Sequence, residues 1–174
     1  MSIYHPDAIR EERAHVDPPV VAILTVSNSL DEASDRPGAL LRDYCAKLGA
    51  TIGSQQIVPD DPDSLARRVA DLCDSGAFGA VLVNGGDEVT AYNGVYEALC
   101  AVIVRPLPGY GEIFRLLAWH DIGAAATLSC AVAGIRGRTA IFSMPGTNAG
   151  VRLAMGKLIA PELSHLAAAL REVR

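Results

Sequence analysis

Aromatic side chains are scarce in this chain, 5% of 174 residues, although half of the residues are hydrophobic. A core must therefore be built from Val, Leu, Ile and Ala, the residues that fill helix-covered parallel sheets. Positive charge is also short. Fifteen Lys and Arg stand against twenty Asp and Glu, a net of −5, and non-specific nucleic-acid binding usually needs a basic face, so no nucleic-acid partner is expected. No run approaches the ~18–20 apolar residues that a membrane span requires, so no membrane partner is expected either. The first 17 residues carry Asp7, Arg10, Glu11, Glu12, Arg13 and Asp17 without an apolar core, which excludes a secretory signal and makes a cytoplasmic protein the expectation. Cys45, Cys73, Cys100 and Cys130 are spaced by 28, 27 and 30 residues with no C-x-x-C pair. A zinc site is not expected and no metal ligands are assigned. Three of the four thiols fall on apolar faces of predicted elements, so buried free thiols are the expectation. His5, His15, His120 and His165 are isolated in sequence. Internal repeats and low-complexity tracts are missing, as is a nucleophile-elbow signature.

What is present is a regular alternation of strand and helix patterns. The length fits one domain, residues 18–174, behind a polar N-terminal arm, residues 1–17. Val20–Val26 is a continuous apolar run of the kind that forms a central strand. Leu40, Leu41, Tyr44, Cys45 and Leu48 then recur with helical spacing up to Gly49, which predicts a helix from about Pro37 to Leu48. Thr51–Val58 reads as a second strand weakened by Gly53. Asp61 followed by Pro62 is an N-cap with proline in the first turn, and Leu65, Val69, Leu72 and Cys73 form the buried stripe behind it. Ala80–Val83 is the third strand. This succession predicts a mostly parallel sheet between two helical layers, a three-layer α/β/α sandwich with its ligand site beyond the carboxyl ends of the strands. The loops Ser27–Asp35, Pro59–Asp61 and Asn84–Asn93 should converge there. Further on, Ile113 to Trp119 predicts a helix, with Trp119-His120 a candidate for burial between subunits. Ala131–Ile135 and Ala140–Ser143, joined by Arg136-Gly137-Arg138, read as a hairpin or as two strands of the same sheet, the arginines being solvated. A small-residue turn, Met144 to Asn148, opens a helix to about Ile159, and a last helix begins at Pro161.

The turn Asn84-Gly85-Gly86-Asp87-Glu88 carries most of the chemistry. Adjacent glycines after a strand let backbone N–H groups approach an anion closely. Two carboxylates in the same turn would repel a phosphate. The architecture points to an anion site in which the charges have changed. Ser27, Ser129 and Thr147 are hydroxyls at strand-to-helix loops, equally suited to touching a ligand or to capping locally. Asp60 either joins the site or competes with Asp61 to cap the following helix.

Six stretches taken in order resemble the MoaB/Mog family of molybdenum cofactor biosynthesis proteins, whose fold recurs in gephyrin-like and competence-damage proteins. They are Ile23-Leu24-Thr25-Val26-Ser27, Ile57-Val58-Pro59-Asp60-Asp61, Gly85-Gly86, Pro108 to Arg115 (PGYGEIFR), Leu128 to Gly134 (LSCAVAG) and Met144-Pro145-Gly146-Thr147. The resemblance implies a domain that binds molybdopterin, a pterin dithiolene with a terminal phosphate, and that assembles as a homotrimer or as a hexamer of trimers. Other cofactor-biosynthesis proteins are candidate partners. Active members transfer the adenylyl group of ATP, with Mg²⁺, to that phosphate. Carried over by motif, the ligand-binding positions are Ser27, Asn28, Gly85, Gly86, Asp87, Thr90, Ser129, Pro145, Gly146 and Thr147, and the catalytic positions are Asp60 and Asn93.

This chain departs from the family pattern where charge matters. The pattern G-G-T-G-x-T-x-R-D reads here Gly85-Gly86-Asp87-Glu88-Val89-Thr90-Ala91-Tyr92-Asn93. An arginine has become Tyr92, a catalytic aspartate has become the neutral Asn93, Asn28 stands where an aspartate is common, and Cys130 replaces an arginine. Asn93 is a poor Mg²⁺ ligand. The expectation is a molybdopterin-binding scaffold with weakened adenylyl transfer. The alternative is a non-catalytic paralogue acting as an oligomeric binding or regulatory scaffold, and a competence-damage-like hydrolase ranks last.

Overall fold

A computed structural model describes residues 16–86 and 94–172 of the chain. Among these described residues, six strands make one sheet: β1 (Val20–Val26), β2 (Thr51–Val58), β3 (Ala80–Gly85), β4 (Arg105–Pro106), β5 (Ala133–Arg136) and β6 (Thr139–Met144), in the spatial order β2-β1-β3-β6-β5-β4. The first four strands of that order run parallel; β5 is antiparallel to both β6 and β4. The α-helices α1 (Arg36–Lys47), α2 (Pro62–Asp74), α3 (Gly94–Val102), α4 (Pro108–Ile122), α5 (Asn148–Leu153) and α6 (Leu163–Glu172) flank it. A 3-10 turn, Gly123–Leu128, follows α4, and a π-helical segment, Ala154–Ile159, extends α5.

Alternate residues of the central strands feed two separate cores. Val21, Ile23, Leu82 and Phe142 pack with α1, α4, the α5 segment and α6. Ala22, Leu24, Val81, Val83 and Ile141 pack with Leu65, Val69 and Leu72 of α2 and with Val95, Ala98 and Leu99 of α3. A strand buried on both faces has no polar alternation, which is why β1 and β3 read as continuous apolar runs. The three-layer α/β/α sandwich is thus present as predicted. Among the described residues no helix is long and apolar enough to cross a membrane.

Local chemistry sets the helix ends. The Asp61 carboxylate accepts from the Ser64 N–H at 2.8 Å with Pro62 in the first turn of α2, and the paired hydroxyl and N–H of Ser64 hold that carboxyl below its ordinary pKa. Asp61, and not Asp60, is therefore the cap. Gly49, at φ 71°, closes α1 with N–H bonds from Gly49 to Ala46 and from Ala50 to Cys45, a Schellman motif. β2 keeps its predicted span, Thr51–Val58, with Gly53 accommodated as a bulge where the register to β1 shifts, under the side chains of Val20 and Phe78. Several boundaries differ from the sequence reading. β3 runs on through Gly85. α4 starts at Pro108, five residues before its first predicted apolar position, and α6 starts at Leu163. The β5–β6 pair is an antiparallel hairpin, and Arg136 at the end of β5 makes a bidentate ion pair with Asp74, both bonds at 2.8 Å, in place of a purely solvated role. Of the arm predicted for residues 1–17, residues 1–15 lie outside the described residues.

Candidate ligand site at the carboxyl edge of the sheet

Strands β2, β1, β3 and β6 all end on one edge, and their outgoing loops are pressed into backbone contact. Gly85 and Gly86 have φ of 119° and 63°, conformations that side-chain-bearing residues rarely adopt. A methyl group on Gly85 would strike the Val26 carbonyl oxygen, and one on Gly86 would strike Val95 at the start of α3. A Cβ on Gly146 would sit 2.9 Å from the Gly85 Cα, so the β6–α5 turn lies against the β3 turn. The β2 loop joins them. A Cβ on Gly94 would come 3.0 Å from the Pro62 ring and 3.5 Å from the Asp60 carboxylate, and the Asp60 N–H donates to Asn28 Oδ1 at 3.0 Å, tying the β1 and β2 loops together.

Beneath these loops runs a buried polar chain. Asn84 Nδ2 donates to Thr25 Oγ1 at 2.9 Å, and that hydroxyl donates to Asp35 Oδ2 at 2.7 Å. The other Asp35 oxygen accepts from the Gly38 N–H at 2.8 Å, capping α1. Asn84 is 0% and Asp35 3% exposed. The sequence reading missed these three residues as a unit. Their signal was available as two polar side chains, Thr25 and Asn84, set into apolar strand runs, and an acid two residues before a proline.

Three buried side-chain polar atoms among the described residues have no hydrogen-bond partner: Asn84 Oδ1, Ser129 Oγ and Asn148 Oδ1. All belong to segments at this edge. Orphaned buried groups are rare in folded proteins. Alongside lies a cavity of about 430 Å³ with apolar walls from Phe114, Ala118, Ile122, Leu128 and Leu153, and with Ser129 and Thr147 among its lining. A narrow slit of about 10 Å³ is lined by Gly85, Gly86, Tyr96, Cys130 and Pro145. Pro145 borders both. The Tyr110 hydroxyl donates to the Ser143 carbonyl at 2.8 Å, and Ser143 Oγ accepts from the Val132 N–H at 2.9 Å, so α4, β6 and the segment before β5 are held together behind the site.

The structure distributes the predicted site residues unevenly. Gly85, Gly86, Pro145 and Gly146 form the narrow centre, while Ser129 and Thr147 line the larger cavity. The Ser27 hydroxyl accepts from the N–H groups of Ser29 and Leu30, both at 3.1 Å, and the Thr147 hydroxyl accepts from the Gly150 N–H at 3.0 Å as the cap of α5. Both therefore carry local capping duties. Asn28 acts through the Asp60 backbone. Asp87, Thr90 and Asn93 lie outside the described residues. The thiols also divide differently from the expectation: Cys45 and Cys73 are buried, with burial pushing each up to about 11, but Cys100 is exposed and Cys130 half-buried. Cys100 is exposed because it lies off the Val95, Ala98, Leu99, Val102 stripe that α3 turns to the core.

A parallel α/β sheet with strand-end glycine turns meeting over a cavity defines a ligand-binding domain of the doubly wound kind. Comparison with known proteins narrows the class. Residues 22–165 match the family described as "probable molybdopterin binding domain". Molybdenum cofactor biosynthesis protein B of Bacillus subtilis (strain 168) is 40% identical over 153 residues, covering 87% of this chain and 88% of that protein. A crystal structure of a molybdenum cofactor biosynthesis protein B superposes with a TM-score of 0.85 at 38% identity, covering 88% of this chain and 97% of that one. The molybdopterin biosynthesis enzyme MoaB from Thermus thermophilus gives 0.76 at 29% identity, covering 86% and 94%. The chain belongs to the MoaB/Mog family of molybdenum cofactor biosynthesis proteins.

Proposed function

We propose that this protein binds molybdopterin at the carboxyl edge of its sheet and that its adenylyl-transfer activity is weakened relative to intact relatives. The observation that carries the binding reading is the gathering of the three orphaned buried polar atoms around the turns of Gly85-Gly86 and Pro145-Gly146-Thr147. The apolar-walled cavity beside them suits the faces of a fused heterocycle, and the glycine turn allows close backbone approach by an anionic group. Weakened transfer follows from the sequence: the reaction brings two phosphates together, and Asp87 and Glu88 add negative charge there, Tyr92 and Cys130 stand where the family pattern has arginine, and Asn93 replaces an aspartate with a poorer Mg²⁺ ligand. Among the described residues there is no group of three or more His, Cys, Asp or Glu side chains able to hold Mg²⁺. No step is assigned to it. Calorimetric titration of the purified protein with molybdopterin, followed by an adenylylation assay with ATP and Mg²⁺ beside the Bacillus subtilis relative, tests both halves. Absence of molybdopterin binding overturns the first, and a rate equal to the relative's overturns the second.

Assembly with further copies, as a trimer or a hexamer of trimers, is part of the same proposal. Ile113, Leu116, Trp119 and Ile122 recur every three residues along α4 and are half-exposed or more, with Trp119 at 51% and Leu116 at 62%, and Leu128 continues the strip. Light scattering of Leu116→Glu against the parent measures it; an unchanged mass removes this face from the assembly.

A further inference from the structure

Arg115 is the cation of the PGYGEIFR stretch. Its Nη1 donates to the Ser129 carbonyl at 3.4 Å, a long bond that uses one of the guanidinium's five N–H groups, and it makes no ion pair among the described residues. The side chain is half-buried. It folds back along its own helix over Gly111, where a Cβ would come 3.1 Å from Nη1 and 3.3 Å from Nη2, and the same Cβ would press on the Ala131 carbonyl at 2.6 Å. Gly111 thus lets the guanidinium lie against the segment Ser129-Cys130-Ala131. Cys130 and Ala131 of that segment line the slit together with Gly85, Gly86 and Tyr96. The Tyr96 phenol has a raised pKa, first through its hydrogen bond to Cys100, and the positive charge of Arg115 pulls weakly the other way. Arg115 is thus a cation held against the carbonyl of Ser129, the residue whose hydroxyl is orphaned and which directly precedes Cys130.

We propose that Arg115 is a ligand-binding residue whose guanidinium holds the phosphate monoester of the ligand at the mouth of the slit between Gly85-Gly86 and Cys130-Ala131. The inference rests on the molybdopterin reading for the identity of that ligand. A half-buried guanidinium with one long hydrogen bond and no carboxylate paired to it among the described residues is suited to a bidentate, charge-assisted contact with a phosphate.

The test compares the parent with Arg115→Gln, Arg115→Lys and the double variant Arg115→Gln/Cys130→Arg, each first checked for a cooperative thermal transition. Molybdopterin and its phosphatase-treated, phosphate-free form are titrated by calorimetry, and inorganic pyrophosphate is added in a thermal-shift series. Arg115→Gln should weaken molybdopterin by about 10- to 100-fold, the worth of a hydrogen bond to a charged group, and leave the phosphate-free form unchanged. Arg115→Lys should fall between, and Cys130→Arg should restore part of the loss. Equal losses for both pterins would mean that Arg115 only holds the segment in place and would overturn the proposal, as would no loss for either. If the parent binds neither pterin but pyrophosphate raises its Tm and not that of Arg115→Gln, the molybdopterin reading falls and the anion site stands. If pyrophosphate also fails to distinguish them, both fall.

Discussion

Removing the Asp35 carboxylate should unsettle the whole carboxyl edge, and the size of the effect can be worked from its two bonds. Asp35→Ala deletes the cap that accepts the Gly38 N–H, worth ~1 kcal/mol. It also leaves the Thr25 hydroxyl, 2% exposed, without its acceptor, at ~1–3 kcal/mol. The sum is ~2–4 kcal/mol, or a fall in Tm of roughly 5–15 °C at ~2–4 °C per kcal/mol for a chain of this size. Urea unfolding at fixed protomer concentration measures it, with Thr25→Val and the double variant completing a cycle. Because one bond serves both residues, the two losses should overlap by ~1 kcal/mol or more. Asp35→Asn, which still accepts the Gly38 N–H, should lose less than Asp35→Ala. A loss below ~0.5 kcal/mol for Asp35→Ala, or strictly additive losses, would refute the polar chain as a structural unit.

Gly146→Ala places a methyl 2.9 Å from the Gly85 Cα, backbone against backbone; it should cost ~1–3 kcal/mol and weaken any ligand held by the two turns, whereas Gly109→Ala, with open space around it, should be neutral or stabilising in a melt. In the native protein iodoacetamide should alkylate Cys100 and Cys130, and reach Cys45 and Cys73 only after denaturant, as peptide mass mapping would show. The same buried thiols set a pH dependence. Their folded pKa of about 11 lies above the ordinary 9.0, so between those values the folded state holds protons that the unfolded state has lost, and stability should fall as pH rises from 9 towards 11, by up to ~1.4 kcal/mol per unit for each thiol. Cys45→Ala/Cys73→Ala should flatten that slope. Arg136→Gln breaks a bidentate pair whose partners are both solvent-accessible, so its effect should be small and should vanish in ~1 M salt.

Much of the fold was legible because burial on both faces leaves a plain mark. β1 and β3 could be read from Val20–Val26 and Ala80–Val83, and Asp61-Pro62 announced α2 to the residue. What escaped has a physical reason in each case. Gly53 looked like an interruption because a one-residue bulge is a property of the pairing with β1, which a single strand's pattern does not contain. The exposure of Cys100 escaped because an apolar neighbourhood in sequence does not say which way a helix faces. At the site, the glycine turns, Ser129 and Arg115 were legible as motif positions, whereas Asp35 and any site role for Arg115 were not. Their roles depend on groups 10 and 14 residues away, Thr25 and Ser129, that only the fold brings near.

The glycines by themselves are weaker evidence of function than they first look. Gly85, Gly86 and Gly146 are required by the Val26 carbonyl, the Val95 side chain and the Gly85 backbone, so the scaffold would demand them whether or not a ligand is bound. Packing cannot account in that way for Asn84 Oδ1, Ser129 Oγ and Asn148 Oδ1, because a buried polar atom without a partner destabilises the fold that contains it. The geometry of the edge therefore reports the fold, and its unpaired polar atoms, together with the open guanidinium of Arg115, are what point to binding.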